Sequence, residues 1–170
     1  GHEHTLALLE NGQVFSWGKG RHGQLGLRDT HDRPFACHVE AFAGVQIEAV
    51  FSGVSHSLAV CSTGAAFTWG NNKNGQCGHP TLKVSETVSQ GFSQELSRPR
   101  HSSSQVHTVR SKFQTRKGCT LPTKVSKDSF GLSRVTAISS GWDHCFAVTE
   151  DGTLFTWGSG YAGQLGHGDT

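Results

Sequence analysis

GWDHCFAVTEDGTLFTWGSGYAGQLG (141–166) aligns without a gap on GHEHTLALLENGQVFSWGKGRHGQLG (1–26) and on GVSHSLAVCSTGAAFTWGNNKNGQCG (53–78). Ten columns are identical in all three copies; in the first they are Gly1, His4, Ala7, Gly12, Phe15, Trp17, Gly18, Gly23, Gln24 and Gly26. Such recurrence in order and spacing is the mark of a duplicated structural unit.

The shared columns have a physical meaning. His4–Glu10, His56–Ser62 and His144–Glu150 alternate with period two, as a strand does. Leu6 and Leu8 fall on one face, as do Leu58 and Val60, then Phe146 and Val148. Asn11-Gly12, Thr63-Gly64 and Asp151-Gly152 follow, predicting a hairpin turn with Gly at its second central position. A second strand then ends in Phe-Ser/Thr-Trp-Gly, and a Gly-rich loop leads on. Further β-like stretches, Val45–Phe51 and Val135–Ser139, precede copies two and three. Three or four short strands per unit predict an all-β chain, a partial β-propeller of tandem blades. The composition agrees, because 22 glycines suit tight turns and are costly inside helices.

The motifs G-x-x-H-[TSC]-[LF]-A, F-[ST]-W-G and G-Q-[LC]-G together resemble the regulator of chromosome condensation repeat family, over nearly all of the chain except residues 80–118. The resemblance implies a seven-bladed propeller. Three units are too few to close a ring, and the chain begins at Gly1 and stops in mid-pattern, so it is expected to be a segment of a longer protein. The expected organisation is unit one over 1–52, unit two over 53–79 and 119–140, and unit three, truncated, over 141–170.

From Gly26 to Gly53 is 27 residues, but from Gly78 to Gly141 is 63. The extra material falls near 80–118, a Ser-rich basic stretch expected to be a disordered insert. Residues 79–124 carry eight Lys and Arg against two Glu, leaving seven against eleven elsewhere. Phosphorylation near Ser102 and a phosphate-binding patch through Arg110, Lys112, Arg116 and Lys117 are functional readings of it. A tolerated surface loop is the plainer one.

Several motifs are weighed and set aside. Gly18-Lys19-Gly20-Arg21-His22-Gly23 satisfies G-x-G-x-x-G, but no helical periodicity follows to carry a dinucleotide phosphate. His4, His56 and His144 occupy one column, as do Trp17, Trp69 and Trp157 and the turn glycines Gly12, Gly64 and Gly152; all nine read as architecture. Adjacent pairs such as His56-Ser57 and His144-Cys145 point to opposite faces of a strand, so they form no nucleophile pair. No catalytic residue, metal site or cofactor is expected. Five cysteines without a CxxC pair, no apolar run long enough to cross a membrane and no signal peptide point to reduced thiols in the cytoplasm or nucleus.

Function should sit where letters vary inside a fixed frame. Between the repeat Gly and His lie His2-Glu3, Val54-Ser55 and Trp142-Asp143. The resemblance implies that acidic residues here meet a small GTPase in the family's nucleotide-exchange member, which singles out Glu3 and Asp143. The family's plant photoreceptor pairs Trp with Arg here; Trp142 is followed by Asp143 instead. Arg21 and Tyr161, on the second variable loop, are added as residue types favoured at interface hot spots. The leading expectation is a protein–protein interaction scaffold. Guanine-nucleotide exchange on a small GTPase and chromatin association through the basic insert are the alternatives.

Overall fold

The computed structural model describes residues 1–78, 106–108 and 118–168, which form eleven strands in three sheets. The first sheet is β1 (His4–Leu8), β2 (Val14–Gly18) and β3 (Arg33–His38), paired in that order. The second orders β4 (Ile47–Ser52), β5 (His56–Cys61), β6 (Ala66–Gly70) and β8 (Cys119–Lys124), all antiparallel. The third orders β9 (Val135–Ser140), β10 (His144–Thr149), β11 (Leu154–Gly158) and β7 (Val106–Thr108). The expected all-β architecture is present. Two 3₁₀ turns, Glu40–Phe42 and Lys127–Phe130, are the only helical pieces among the described residues.

Three copies of the hairpin share one register: His4 faces Gly18, His56 faces Gly70 and His144 faces Gly158. The sheets are phased one strand ahead of the sequence repeat, because β4 and β9, lying before Gly53 and Gly141, join the hairpin that follows. Most of 80–118 lies outside the described residues. Of its described residues, 106–108 form β7, which lies parallel to β11, where the second sheet has antiparallel β8 beside β6.

The turns differ from expectation in one detail. Gly12, Gly64 and Gly152 take φ of 81°, 74° and 81°, but each closes a turn as its fourth residue rather than its third. The Gly12 amide donates to Leu9 O, Gly64 to Cys61 O and Gly152 to Thr149 O, each at 2.8–2.9 Å. Pairing of Leu8 with Val14 leaves five residues in the loop, so the chain makes an ordinary turn and Gly absorbs the left-handed step back into the strand. Asn11 and Asp151 serve by side chain instead, accepting from the amides of Gln13 and Thr153.

The sheets stack face to face, and strand alternation is spent on two different cores. Every residue of β5 is buried. Ala59 and Cys61 pack toward the first sheet with Val14, Val39, Phe42 and Trp69. Leu58 and Val60 pack toward the third with Ile138, Ala147, Phe155 and Trp157.

Polar atoms bolt the stack together. Trp69 Nε1 donates to Gln24 O at 2.8 Å and Trp157 Nε1 donates to Gln76 O at 2.9 Å, each from one copy to the Gln carbonyl of the copy before. The same carbonyls accept from the residue after the repeat His, Ser57 Oγ at 2.7 Å and Cys145 Sγ at 3.4 Å. With their own protons so placed, Ser57 and Cys145 accept from His4 Nε2 at 3.0 Å and His56 Nε2 at 3.1 Å. Each ring also lies against its repeat glycine: a Cβ on Gly53 would sit 2.1 Å from His56 Cε1. The Trp column is therefore core where a preceding sheet exists. Trp69 and Trp157 are buried, whereas Trp17 faces no earlier sheet of this chain and stays half-buried.

These histidines make stability pH-dependent. The Nδ1 atoms of His4 and His56 are buried without a partner, so a second ring proton would have nowhere to bond. Burial first, then the positive N-terminus and His56, lowers His4 to about 4; burial, then His144, lowers His56 to about 4. Unfolded histidine titrates near ~6.5, so below that pH the unfolded chain binds protons the folded one refuses. Stability is then complete above about pH 6.5 and falls toward pH 4, by up to about 1.4 kcal/mol per pH unit for each ring. Urea midpoints measured at about pH 7 and about pH 5 should fall accordingly, with a shallower fall in His56→Gln.

Candidate functional site

In each hairpin the repeat His opens one strand and the Trp-Gly step closes the next, so both variable loops of a copy leave the same end of its sheet. They are tied there by matching bonds. Lys19 N donates to Glu3 O, Asn71 N to Ser55 O and Ser159 N to Asp143 O, each at 2.8 Å. The side-chain oxygens of Gln24, Gln76 and Gln164 brace the second loop by accepting from the amides of His22, Asn74 and Ala162. The frame is fixed by backbone and Gln, which frees the two letters between Gly and His to vary.

Those letters meet at a cleft of about 520 Å³ lined by His2, Val54, Trp142 and Asp143 with the strand ends Ser52 and Ser140 and the repeat glycines. Neighbouring loops are joined across it, Val54 N donating to Trp142 O at 3.0 Å. Trp142 stands 81 % exposed on its rim.

The five partner-binding candidates share this end of the stack but differ in availability. Glu3 is exposed on the loop beside the cleft, and its neighbour His2 rather than Glu3 lines it. Asp143 is half-buried and accepts from Gln76 Nε2 at 3.1 Å, so its carboxylate braces the joint between the second and third sheets. Arg21 is exposed and Tyr161 is 79 % exposed on the second loops, outside the cleft lining. His2 and Val54 had no chemical signal in the sequence; only their shared column with Trp142 could have marked them.

The structure makes the His–Ser and His–Cys pairs that strand adjacency forbids, by joining each His to the next copy. The His56–Cys145 pair is not a nucleophilic dyad. Burial first, then Asp143, pushes the Cys145 thiol well above its ordinary range, while His56 is held neutral. A thiol that keeps its proton beside a ring that will not take one is a hydrogen-bond bridge.

Comparison with known proteins agrees with this architecture. A family model described as "Regulator of chromosome condensation (RCC1) repeat" matches residues 11–60 and 63–148, and a second of the same description matches 47–76 and 135–164. The chain is 35 % identical to the ultraviolet-B receptor UVR8 of Arabidopsis thaliana, over all of this chain and 42 % of that protein. It is 36 % identical to human RCC1 domain-containing protein 1, over all of this chain and 46 % of that protein. It thus spans less than half the length of these two relatives. Its fold superposes on Prp20p from Saccharomyces cerevisiae with a TM-score of 0.72 at 22 % identity, covering 100 % of this chain and 34 % of that one. The three sheets are part of an RCC1-type β-propeller.

The different duties of the two acidic candidates are measurable. Asp143→Ala should lower stability by about 1 kcal/mol, the order for losing one partly buried hydrogen bond. Glu3→Ala should stay within about 0.5 kcal/mol of the parent, and Asp143→Asn, which keeps an acceptor for Gln76, should recover most of the loss. Urea unfolding of the three variants at about pH 7.5 checks this, at a pH where the histidines add no slope.

Proposed function

This chain belongs to the regulator of chromosome condensation (RCC1) repeat family, and from that premise we propose that it is a protein-binding segment of a propeller whose partner docks on the cleft end of the stacked sheets. The observation that carries the reading is Trp142, a large apolar ring held in solvent at the rim of a cleft between rigid loops. Exposed aromatic rings on fixed loops are the residues that anchor interfaces. His2 and Val54 flank the same cleft and vary between copies as partner-choosing positions should.

Guanine-nucleotide exchange is the second reading. Prp20p, described with binding properties to Gsp1p and histones, is the structural neighbour that favours it, and the exposed carboxylate of Glu3 is this chain's contribution. Exchange by a propeller needs no nucleophile; it requires tighter binding to the nucleotide-free GTPase than to the loaded one. Asp143, engaged with Gln76, is the weaker of the two acidic contacts. The third reading, chromatin association through the basic stretch 80–118, rests on charge alone and lies almost wholly outside the described residues. Reduced thiols remain the support for an intracellular, cytoplasmic or nuclear setting, and no helix among the described residues is long and apolar enough to cross a membrane.

A photo-reactive residue placed at 142 or at 2 in the protein inside cells should crosslink to one common protein. The same residue at Thr136, exposed on a strand of the third sheet, should not. Equal labelling at all three positions would remove the cleft from consideration. With the partner in hand, Trp142→Ala should weaken binding about thirtyfold, the scale of a ~2 kcal/mol hot spot, at unchanged stability. If the partner is a GTPase, the protein should speed release of its labelled GDP, and Glu3→Ala should slow that release.

A further inference from the structure

The G-Q-[LC]-G column holds Leu25 in the first copy and Leu165 in the third, but Cys77 in the second. Leu25 is fully buried, and so is Cys77. The second copy thus carries a buried thiol where the first carries a buried leucine. A second cysteine stands beside it: Cys119 opens β8 and is the register partner of Gly70 on β6, the position Arg33 takes opposite Gly18 in the first sheet. Cys77 Sγ lies 3.6 Å from Gly70 O and 3.4 Å from Asn71 O, so both cysteines border Gly70, and each thiol is the chief influence on the other's acidity. Copy one has neither this pair nor the insert, which in copy two the cysteines flank.

We propose that Cys77 and Cys119 are a redox pair that closes to a disulfide when the protein meets a peroxide, linking the loop after β6 to the first residue of β8. The two thiols are unequal in the way such a pair requires. Cys119 is half-buried at the strand end, whereas Cys77 is sealed in the interior. The hydrogen bond from Cys77, working against burial, lowers the Cys119 thiol to about 7; the same contact, followed by burial, pushes Cys77 up. Cys119, the sulfur a peroxide can reach and the one whose thiol is lowered, is therefore the attacking one.

The chemistry balances. The Cys119 thiolate attacks one oxygen of hydrogen peroxide, the O–O bond breaks, and the departing hydroxide takes up a proton to leave as water. Cys119 is now a sulfenic acid, oxidised by two electrons. Cys77 then attacks that sulfur, the S–S bond forms, and the sulfenic hydroxyl leaves with the Cys77 proton as a second water. The bond, ~2.05 Å between sulfurs, forms between two side chains that border the same residue, Gly70. The other three thiols are placed otherwise. Cys145 donates to Gln76 O, Cys61 is engaged with Thr63 and Cys37 lies on β3 with its sulfur bonded to Phe35 O.

Limited hydrogen peroxide on the native protein, followed by peptide mapping under non-reducing conditions, tests this. The expected first product is a 77–119 linked peptide that a dithiol reductant returns to two thiols, formed while Cys145 and Cys37 stay reduced. Cys119 should react about tenfold faster than Cys145, as its thiolate character and exposure dictate. Cys77→Leu restores the residue of the other copies; in it Cys119 should stop at a sulfenic acid that a dimedone probe traps. Cys119→Ser should leave Cys77 reduced at the same peroxide dose and serves if the leucine is too large. Sulfinic acid on Cys119 of the parent protein with no 77–119 link, or a first disulfide involving any other cysteine, would overturn the proposal.

Discussion

Everything in this stack hangs on two backbone carbonyls. Gln24 O and Gln76 O each accept two bonds from the next copy, one from an indole N–H and one from a hydroxyl or thiol. The hydroxyl or thiol is in turn held by the His of the carbonyl's own copy. The loop is closed: copy, next copy and copy again, through buried groups. A slip of one residue between sheets would orphan an indole, a hydroxyl and an imidazole together, each at the cost of an unmet buried polar group. Apolar packing between sheets supplies most of the attraction, but it is tolerant of small shifts. The bonds select one alignment out of the many that packing allows, and the loop ends are held in register because of it.

That registration is why the cleft exists. The two letters between Gly and His are tied into the frame by backbone bonds, Val54 N to Trp142 O and Ser159 N to Asp143 O among them, so their side chains can differ from copy to copy. Asp143 is the informative exception. It has been drawn into the joint by Gln76, so a position that could choose a partner now also sets the angle between two sheets. Trp142, one residue earlier, keeps its ring in solvent because its neighbour carries the structural duty and its carbonyl anchors the adjacent loop.

Much of this could be seen in the letters. Period two gave the strands, Asn-Gly and Asp-Gly marked the hairpin ends, and the repeat columns separated frame from variable loop. What could not be seen depended on neighbours one copy away. His56 and Ser57 point apart, which is correct, yet each finds a partner in a different sheet. Nothing in a single strand reveals that. The turn geometry was missed for a related reason: Asn-Gly fits a two-residue and a five-residue loop alike, and the register of Leu8 with Val14 decides between them. Cys77 stands 42 residues from Cys119 in the sequence, and only the pairing of β8 with β6 brings both to Gly70.

The same letters also meet unequal surroundings, and the inequality has a cause. β5 is buried along its whole length because a sheet lies on each face, while the matching β10 leaves Phe146 38 % exposed and His144 half-buried. Trp17 differs from Trp69 in the same way on the other side of the stack. Residue identity is constant down the His and Trp columns, so there the difference belongs to position in the stack. Each copy therefore contributes little by itself and a great deal through the face it shares, the nearest-neighbour behaviour of repeat architectures. The loop end of such a stack is only as rigid as the joints beneath it, and the joint under Trp142 is the one that His56, Cys145, Gln76 and Asp143 hold together.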